Sequence, residues 1–335
     1  MEFYGTIGIS CCQQDTLEKM FRAGMTGVRI NMSHQSLEES KEWFAAIHNA
    51  AQKCNIKPEI LIDLQGPELR IGKLTEPVLL KTGEVILLDE KISFPMHLIP
   101  YLKEGQQILL DDGKILLEIE HIGQAQEQSK SIDCTKCRIL RGGTLLSRKS
   151  IALPGIEVPM PALTEEDKKN IAGARAAGVS GVMLPFVRGA ADVHSLRQEL
   201  FAAGAEGIRI FSKIENMAGV ERIDEIIPES DMIIIARGDL GNALPLWELP
   251  AVQKEIAENC RKAKKPFMVV TQMLHSMEKS AVPTRAEVLD IYNAVLDGAK
   301  ALMLTGETAV GSYPVEAMEY LVKTGKEGLK AWQEQ

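Results

Sequence analysis

Apolar, strand-like runs in this chain end one after another in polar or charged residues, with helix-like segments between them. Val28-Arg29-Ile30-Asn31 leads to Ser33-His34, and Ile60-Leu61-Ile62 leads to Asp63. Ile208-Arg209-Ile210-Phe211 runs into Ser212-Lys213-Ile214-Glu215, and Met232-Ile233-Ile234-Ile235 into Ala236-Arg237-Gly238-Asp239. Phe267-Met268-Val269-Val270 meets Thr271-Gln272, and Ala301-Leu302-Met303-Leu304 meets Thr305-Gly306-Glu307. A closed (β/α)8 barrel gathers the C-terminal ends of its strands on one face, where such barrels do chemistry. Polar groups scattered through the sequence would converge there on one pocket. The pattern reads as an enzyme.

The expected strands cover residues 3–8, 27–31, 59–63, 181–184, 208–212, 232–236, 267–271 and 301–304. Among the expected helices, 164–177 opens on a capping pair, Thr164 with Asp167 three residues on. Another, 285–296, has Pro283 before it and Gly298 beyond its end. The alternation breaks between about 70 and 148, where short β-like runs alternate with turn residues and Asp112-Gly113 marks a hairpin. This stretch holds no convincing amphipathic helix. The fold class is therefore α/β: a (β/α)8 TIM barrel with a small all-β domain inserted after strand 3. The barrel would take 1–69 and 149–335, and a β-barrel-like lid 70–148.

Composition narrows the partners. With 335 residues and a net charge of −8, the chain lacks the basic balance that binding a nucleic-acid backbone calls for, although a local pocket can still be positive. No apolar run approaches the roughly 18 residues of a membrane span, so no membrane partner is expected. Met1-Glu2-Phe3-Tyr4 enters a strand directly, without a signal peptide's regions. Six irregularly spaced cysteines (11, 12, 54, 134, 137, 260) suit a reduced cytoplasm. Cys134-Thr135-Lys136-Cys137 is a lone CxxC without a second pair, which argues against zinc, and Cys11-Cys12 reads as packing. The basic run from Arg261 to Lys265 reads as a helix C-terminus complementing its dipole.

The motifs together resemble pyruvate kinase. They include Arg29-Ile30-Asn31-Met32-Ser33-His34, Asp63-Leu64-Gln65-Gly66-Pro67-Glu68-Leu69-Arg70, Asp111-Asp112-Gly113 and Leu153-Pro154-Gly155. Ser212-Lys213-Ile214-Glu215-Asn216, Ala236-Arg237-Gly238-Asp239-Leu240-Gly241, Thr271-Gln272-Met273-Leu274, Pro283-Thr284-Arg285-Ala286-Glu287 and Gly306-Glu307-Thr308-Ala309 continue the set in family order. The resemblance covers nearly the whole chain. It implies transfer of a phosphoryl group from phosphoenolpyruvate to ADP, giving pyruvate and ATP, with Mg2+ (or Mn2+) and K+ as cofactors. Family members of usual length continue into a C-terminal domain that carries effector contacts. The chain stops at Gln335, so effector activation of that kind is expected to be absent.

By the same resemblance, Glu215 and Asp239 hold the Mg2+, and Lys213 neutralises the phosphoryl group in flight and the enolate oxygen left behind. Asn31, Ser33, Asp63 and the carbonyl of Leu64 bind K+; Leu64 replaces a usual threonine, a change that a backbone ligand survives. Glu68 supports K+ dependence, since K+-independent relatives carry lysine there. Arg29 and Arg70 are the phosphate clamps, suited by the fork geometry of a guanidinium. Thr271 takes part in protonating the enolate, with Thr305 and Glu307 at nearby water-network positions. Gly238 and Asp239 offer backbone N–H groups to the substrate carboxylate. Asn31, His34, Arg70, Asp112 and Lys149 are the nucleotide contacts.

Read as isolated residues, the arginines could form structural salt bridges, Lys213 could be a solvated charge, and the carboxylates could be ordinary loop residues. Ile9, Gln65, Pro185 and Val310 depart from the family's usual proline, lysine, serine and lysine. They leave the metal constellation nearly intact and thin out the nucleotide side. Two other functions stand beside the kinase: a metal-dependent lyase or decarboxylase acting on a 2-oxo acid through an enolate in the same pocket, and a non-catalytic relative. Retained Asp112 and Lys149 favour the kinase over the lyase, and retained Lys213, Glu215, Asp239 and Thr271 argue against a non-catalytic role. A homodimer through the barrel, around Pro283–Asp297, is the expected assembly.

Overall fold

A computed structural model of the chain describes residues 1–33, 35–122, 135–156 and 158–334. In chain order the strands begin with β1 (Glu2–Thr6), β2 (Gly27–Asn31) and β3 (Glu59–Asp63). Seven short ones follow: β4 (Val78–Leu80), β5 (Val85–Leu87), β6 (Gln107–Leu110), β7 (Ile115–His121), β8 (Lys136–Arg141), β9 (Gly143–Leu145) and β10 (Ile151–Ala152). The last are β11 (Gly181–Leu184), β12 (Arg209–Ile214), β13 (Met232–Ala236), β14 (Phe267–Val270) and β15 (Ala301–Leu304). The chain divides into two compact units, one of residues 1–66, 161–237 and 248–335, the other of 67–160 and 238–247.

In the first unit, eight strands close into a barrel in the order β1-β15-β14-β13-β12-β11-β3-β2. Each neighbouring pair is parallel. Covered on both faces, β11, β13, β14 and β15 are buried at every position, so they read as unbroken apolar runs rather than alternating ones. Tyr4, Leu61, Met183, Phe211, Ile234 and Met303 pack in the barrel's buried core. A polar cluster lies where the strands begin. The Tyr4 hydroxyl donates to Glu2 at 2.9 Å and also to Glu59, which takes Arg209 as well. The Arg209 guanidinium lies 4.8 Å from the centre of the Phe211 ring.

Register aligns the opposite ends. Asn31 sits beside Asp63, Asp63 beside Met183, Leu184 beside Ser212, Lys213 beside Ile234 and Ala236 beside Val270. The first strand stops at Thr6, short of the expected Gly8, because the Gly8 carbonyl turns to accept Cys11 and Cys12 N–H groups. The fifth barrel strand runs to Ile214, two residues past expectation, because Lys213 and Ile214 pair with β13. Lys213 is thus part of the barrel wall, not the loop after it.

The second unit holds an antiparallel sheet, β10-β6-β7-β8-β5, and the pair β4-β9. Ile71, Leu80, Ile86, Ile108, Leu117 and Ile139 fill its own core. Its hairpin turn carries three successive left-handed residues, Asp111, Asp112 and Gly113. Two short helical pieces, Leu88–Lys91 and the 3-10 turn Met96–Tyr101, lie where only strands and turns were expected. They are too brief for a helical period to register, and Pro95 and Pro100 interrupt the stretch.

Candidate active site

Asp63 organises the rim of the barrel. Its side chain, 1% exposed, stands at the end of β3 between two cations from neighbouring elements. Arg29, on β2, donates from Nε at 2.9 Å and from Nη2 at 2.5 Å to Asp63 Oδ2. Lys213 Nζ donates to Asp63 Oδ1 at 3.2 Å and Oδ2 at 3.3 Å, and meets Glu215 Oε1 at 3.0 Å. Burial pushes the Asp63 carboxyl up, but Lys213 and Arg29 outweigh that push and hold it below the ordinary carboxylate value. Two carboxylates therefore keep a guanidinium and an ammonium fixed in a largely dry place. The sequence pointed to each residue separately; it did not show that Asp63 is the shared anion.

Glu215 follows β12 directly and is 3% exposed. Its Oε2 accepts the Phe186 N–H at 2.8 Å. Phe186 has a left-handed backbone, φ +53°, in the turn after β11. Pro185 beside it packs on Gly66, where a Cβ would come within 2.5 Å of the proline Cγ. Gly66 is itself left-handed, φ +63°. Asp167, fully buried, accepts the Gln65 N–H at 2.9 Å and the Gly66 N–H at 3.1 Å. The same carboxylate closes the capping box with Thr164 that the sequence announced. The cap was legible, whereas its second task of pinning the turn after β3 was not. Gly66→Ala is expected to destabilise the chain by about 1–3 kcal/mol from backbone strain alone, with the proline contact adding to it. Thermal unfolding checks this, and an unchanged midpoint would contradict it.

Thr271 lies just past β14 at φ +75°, followed by Gln272 at φ +54°. A left-handed β-branched residue costs on the order of 1–3 kcal/mol and persists only where its surroundings hold it. Arg237 does the holding: Nη2 and Nε donate to the Thr271 carbonyl at 2.7 and 3.2 Å. Asp290 takes Nη1 at 2.9 and 2.7 Å. Glu307, 1% exposed, accepts the Leu274 N–H at 3.0 Å and the Thr305 N–H at 2.8 Å, tying the loops after β14 and β15 together. Arg237 carried no role in the sequence reading. A signal was there, since an arginine directly ending a buried apolar strand needs a partner.

At the end of β2, the Asn31 side-chain oxygen accepts the Ser33 N–H at 3.1 Å, and Leu64 N–H donates to Met183 carbonyl at 3.1 Å. His34 and Cys134 lie outside the described residues, and with them the histidine contact and the CxxC motif. Ile9 and Val310 are 80% and 61% exposed, on loops joined by the Ser10 N–H to the Ala309 carbonyl at 3.1 Å. Burial pushes the Cys11 thiol up to about 12, consistent with packing rather than redox chemistry.

In the second unit, Arg70 donates from Nε to Glu68 at 2.8 Å and from Nη1 to the Arg148 carbonyl at 2.7 Å. Lys149 meets Asp111 at 2.7 Å. Asp112 Oδ1 accepts from the Ser150 hydroxyl at 2.8 Å, and that hydroxyl accepts the Asp112 N–H at 2.9 Å. Gly238 and Asp239 occupy the first turn of the helix Arg237–Ala243, directly after β13.

The donors suit hard cations. Among the described residues no three His, Cys, Asp or Glu side chains form a ready cage. Mg2+ keeps several waters and binds through one or two carboxylates plus substrate oxygens, and Glu215, an oxygen donor buried beside a lysine, fits that habit. Asn31 and Asp63 are paired at the ends of β2 and β3, and Ser33 follows in the turn after β2.

Residues 2–318 match the family described as pyruvate kinase, barrel domain. A pyruvate kinase of Geobacillus stearothermophilus is 40% identical over 325 residues, 94% of this chain and 54% of that protein. One from Staphylococcus aureus is 37% identical over 324 residues, 94% of this chain and 54% of the relative. One from Aeropyrum pernix is 37% identical over 335 residues, 98% of this chain and 71% of the relative. The chain thus spans about half the length of the first two.

Proposed function

Because the chain belongs to the pyruvate kinase family, we propose that it moves a phosphoryl group from phosphoenolpyruvate to ADP, giving pyruvate and ATP. The array Arg29–Asp63–Lys213–Glu215 carries this reading: two fixed cations and two buried carboxylates on the face where barrels do chemistry. Phosphoryl transfer asks mainly for positioning and charge neutralisation. Arg29 clamps the phosphoryl oxygens with the N–H groups that Asp63 leaves over, and Lys213 faces the group in flight and then the enolate oxygen. Thr271 orients the water that delivers a proton to the enolate carbon. Gly238 and Asp239 N–H groups take the substrate carboxylate.

Mg2+ (or Mn2+), held by Glu215 and Asp239, would neutralise charge between the reacting groups, and K+ would sit with Asn31, Ser33, Asp63 and the Leu64 carbonyl. The nucleotide is met by Asn31, His34, Arg70, Asp112 and Lys149. Arg70 and Lys149 are paired with Glu68 and Asp111, so nucleotide phosphates would compete with those carboxylates. Replacing K+ with tetramethylammonium at constant ionic strength is expected to cut turnover sharply; undiminished activity would contradict the K+ assignment.

The relatives named above are pyruvate kinases, which does not favour a lyase. Among the described residues no helix is long and apolar enough to cross a membrane. Val282 and Leu289, 60% and 57% exposed, support pairing of two barrels around Pro283–Asp297.

A further inference from the structure

We propose that Arg237, braced by Asp290, is a positioning residue for Thr271: it holds the left-handed Thr271–Gln272 turn and so sets where the threonine hydroxyl points. This rests on the reading of Thr271 in the proton step. The strand ladder no longer holds this backbone, since β14 ends at Val270. Arg237 takes over from the end of the neighbouring strand, clasping the Thr271 carbonyl at 2.7 and 3.2 Å and reaching the Val270 carbonyl at 3.3 Å. Its remaining hydrogens go to both Asp290 oxygens, at 2.9 and 2.7 Å, and to the Met273 sulfur at 3.0 Å.

Geometry decides what this does. A guanidinium is planar, so fixing one edge on a carboxylate fixes the direction in which the other edge donates. Asp290, from the helix Arg285–Leu296, supplies the fixed edge. Three elements thus cross-brace one strained turn by its carbonyl. Among the described residues the Thr271 hydroxyl has no hydrogen-bond partner, which leaves it available to a substrate or water. A purely structural salt bridge would have no need to converge on the carbonyl of a β-branched residue held at φ +75°.

The test uses the full chain with R237Q, R237K and D290N, and K254Q as a control that loses an outer pair with Asp297. Two quantities are read: backbone-amide exchange across Gln272–Leu274, and the rate at which the C3 protons of pyruvate exchange into D2O with Mg2+ and K+ present. R237Q is expected to speed amide exchange across the turn and to slow C3 exchange by about 10²-fold, the size of effect a displacement near 1 Å produces. The KM for phosphoenolpyruvate moves far less. R237K recovers part of the C3 rate through its single remaining donor group, D290N gives a milder form of R237Q, and K254Q changes neither quantity. Amide exchange at the turn unchanged in R237Q overturns the proposal. Unchanged C3 exchange in Thr271→Val overturns the proton-step reading instead, while the amide data still decide whether Arg237 holds the turn.

Discussion

Lys213→Met is expected to lower the proposed pyruvate formation by about 10³-fold, the scale on which removing one fixed transition-state charge acts. The lysine sits within β12, paired across to Ile234, so its backbone is held in the barrel wall. Its ammonium is 3.0 Å from Glu215 and 3.2 Å from Asp63, with the side chain only 13% exposed. Methionine keeps the length and loses the charge. On the proposed reading, the phosphoryl group in transit and the enolate oxygen would then lack their cation, whereas substrate binding would retain Arg29. The loss therefore falls on kcat more than on KM. Stability falls as well, because two buried carboxylates lose a shared partner, but Asp63 keeps Arg29 and Glu215 keeps the Phe186 N–H. Steady-state kinetics beside a melting curve separates the two effects. A variant that melts like the unaltered chain and turns over within a few-fold of it would remove Lys213 from the chemistry.

Asp63→Asn is the complementary change, and its largest effect is on stability. Breaking one side of a buried ion cluster costs about 3–5 kcal/mol, since the cations left behind are uncompensated. Here those cations are Arg29 and Lys213, 14% and 13% exposed, so neither can turn fully to water. The pH dependence has a definite sign. Asp63 titrates below its unfolded-state value, so its contribution is complete above that value, about 3.9 for a free aspartate, and disappears as pH falls through the lower native one. The unaltered chain should therefore lose stability on acidification through this window more steeply than Asp63→Asn. Denaturant titrations between neutral pH and pH 3 read both quantities; parallel curves would show that the carboxylate is not held by its two cations.

The barrel was legible because its signal is redundant. Eight strand-like runs, six of them with polar ends, leave few other closed folds, and the Thr164–Asp167 cap could be named from spacing alone. Boundaries were less legible where tertiary pairing decides them: β12 gains Lys213 and Ile214 because β13 is there to pair with them. The sequence names Arg29, Asp63, Lys213 and Glu215 one by one and hides the network that joins them. No spacing rule says that Arg29, 34 residues before Asp63, and Lys213, 150 residues after it, share one carboxylate. Nor does local sequence show that Asp167 caps a helix and pins Gly66, or that Arg237 reaches the Thr271 carbonyl. These contacts depend on barrel closure, which places strand ends distant in sequence side by side.

The assignment as a whole is tested most directly by incubating the purified chain with phosphoenolpyruvate, Mg2+ and K+, with and without ADP, and measuring pyruvate and ATP together. The expected result is pyruvate and ATP in equal amounts, and neither when ADP or the divalent ion is withheld. Pyruvate released at the same rate without ADP, or no turnover of phosphoenolpyruvate under any of these conditions, would contradict it.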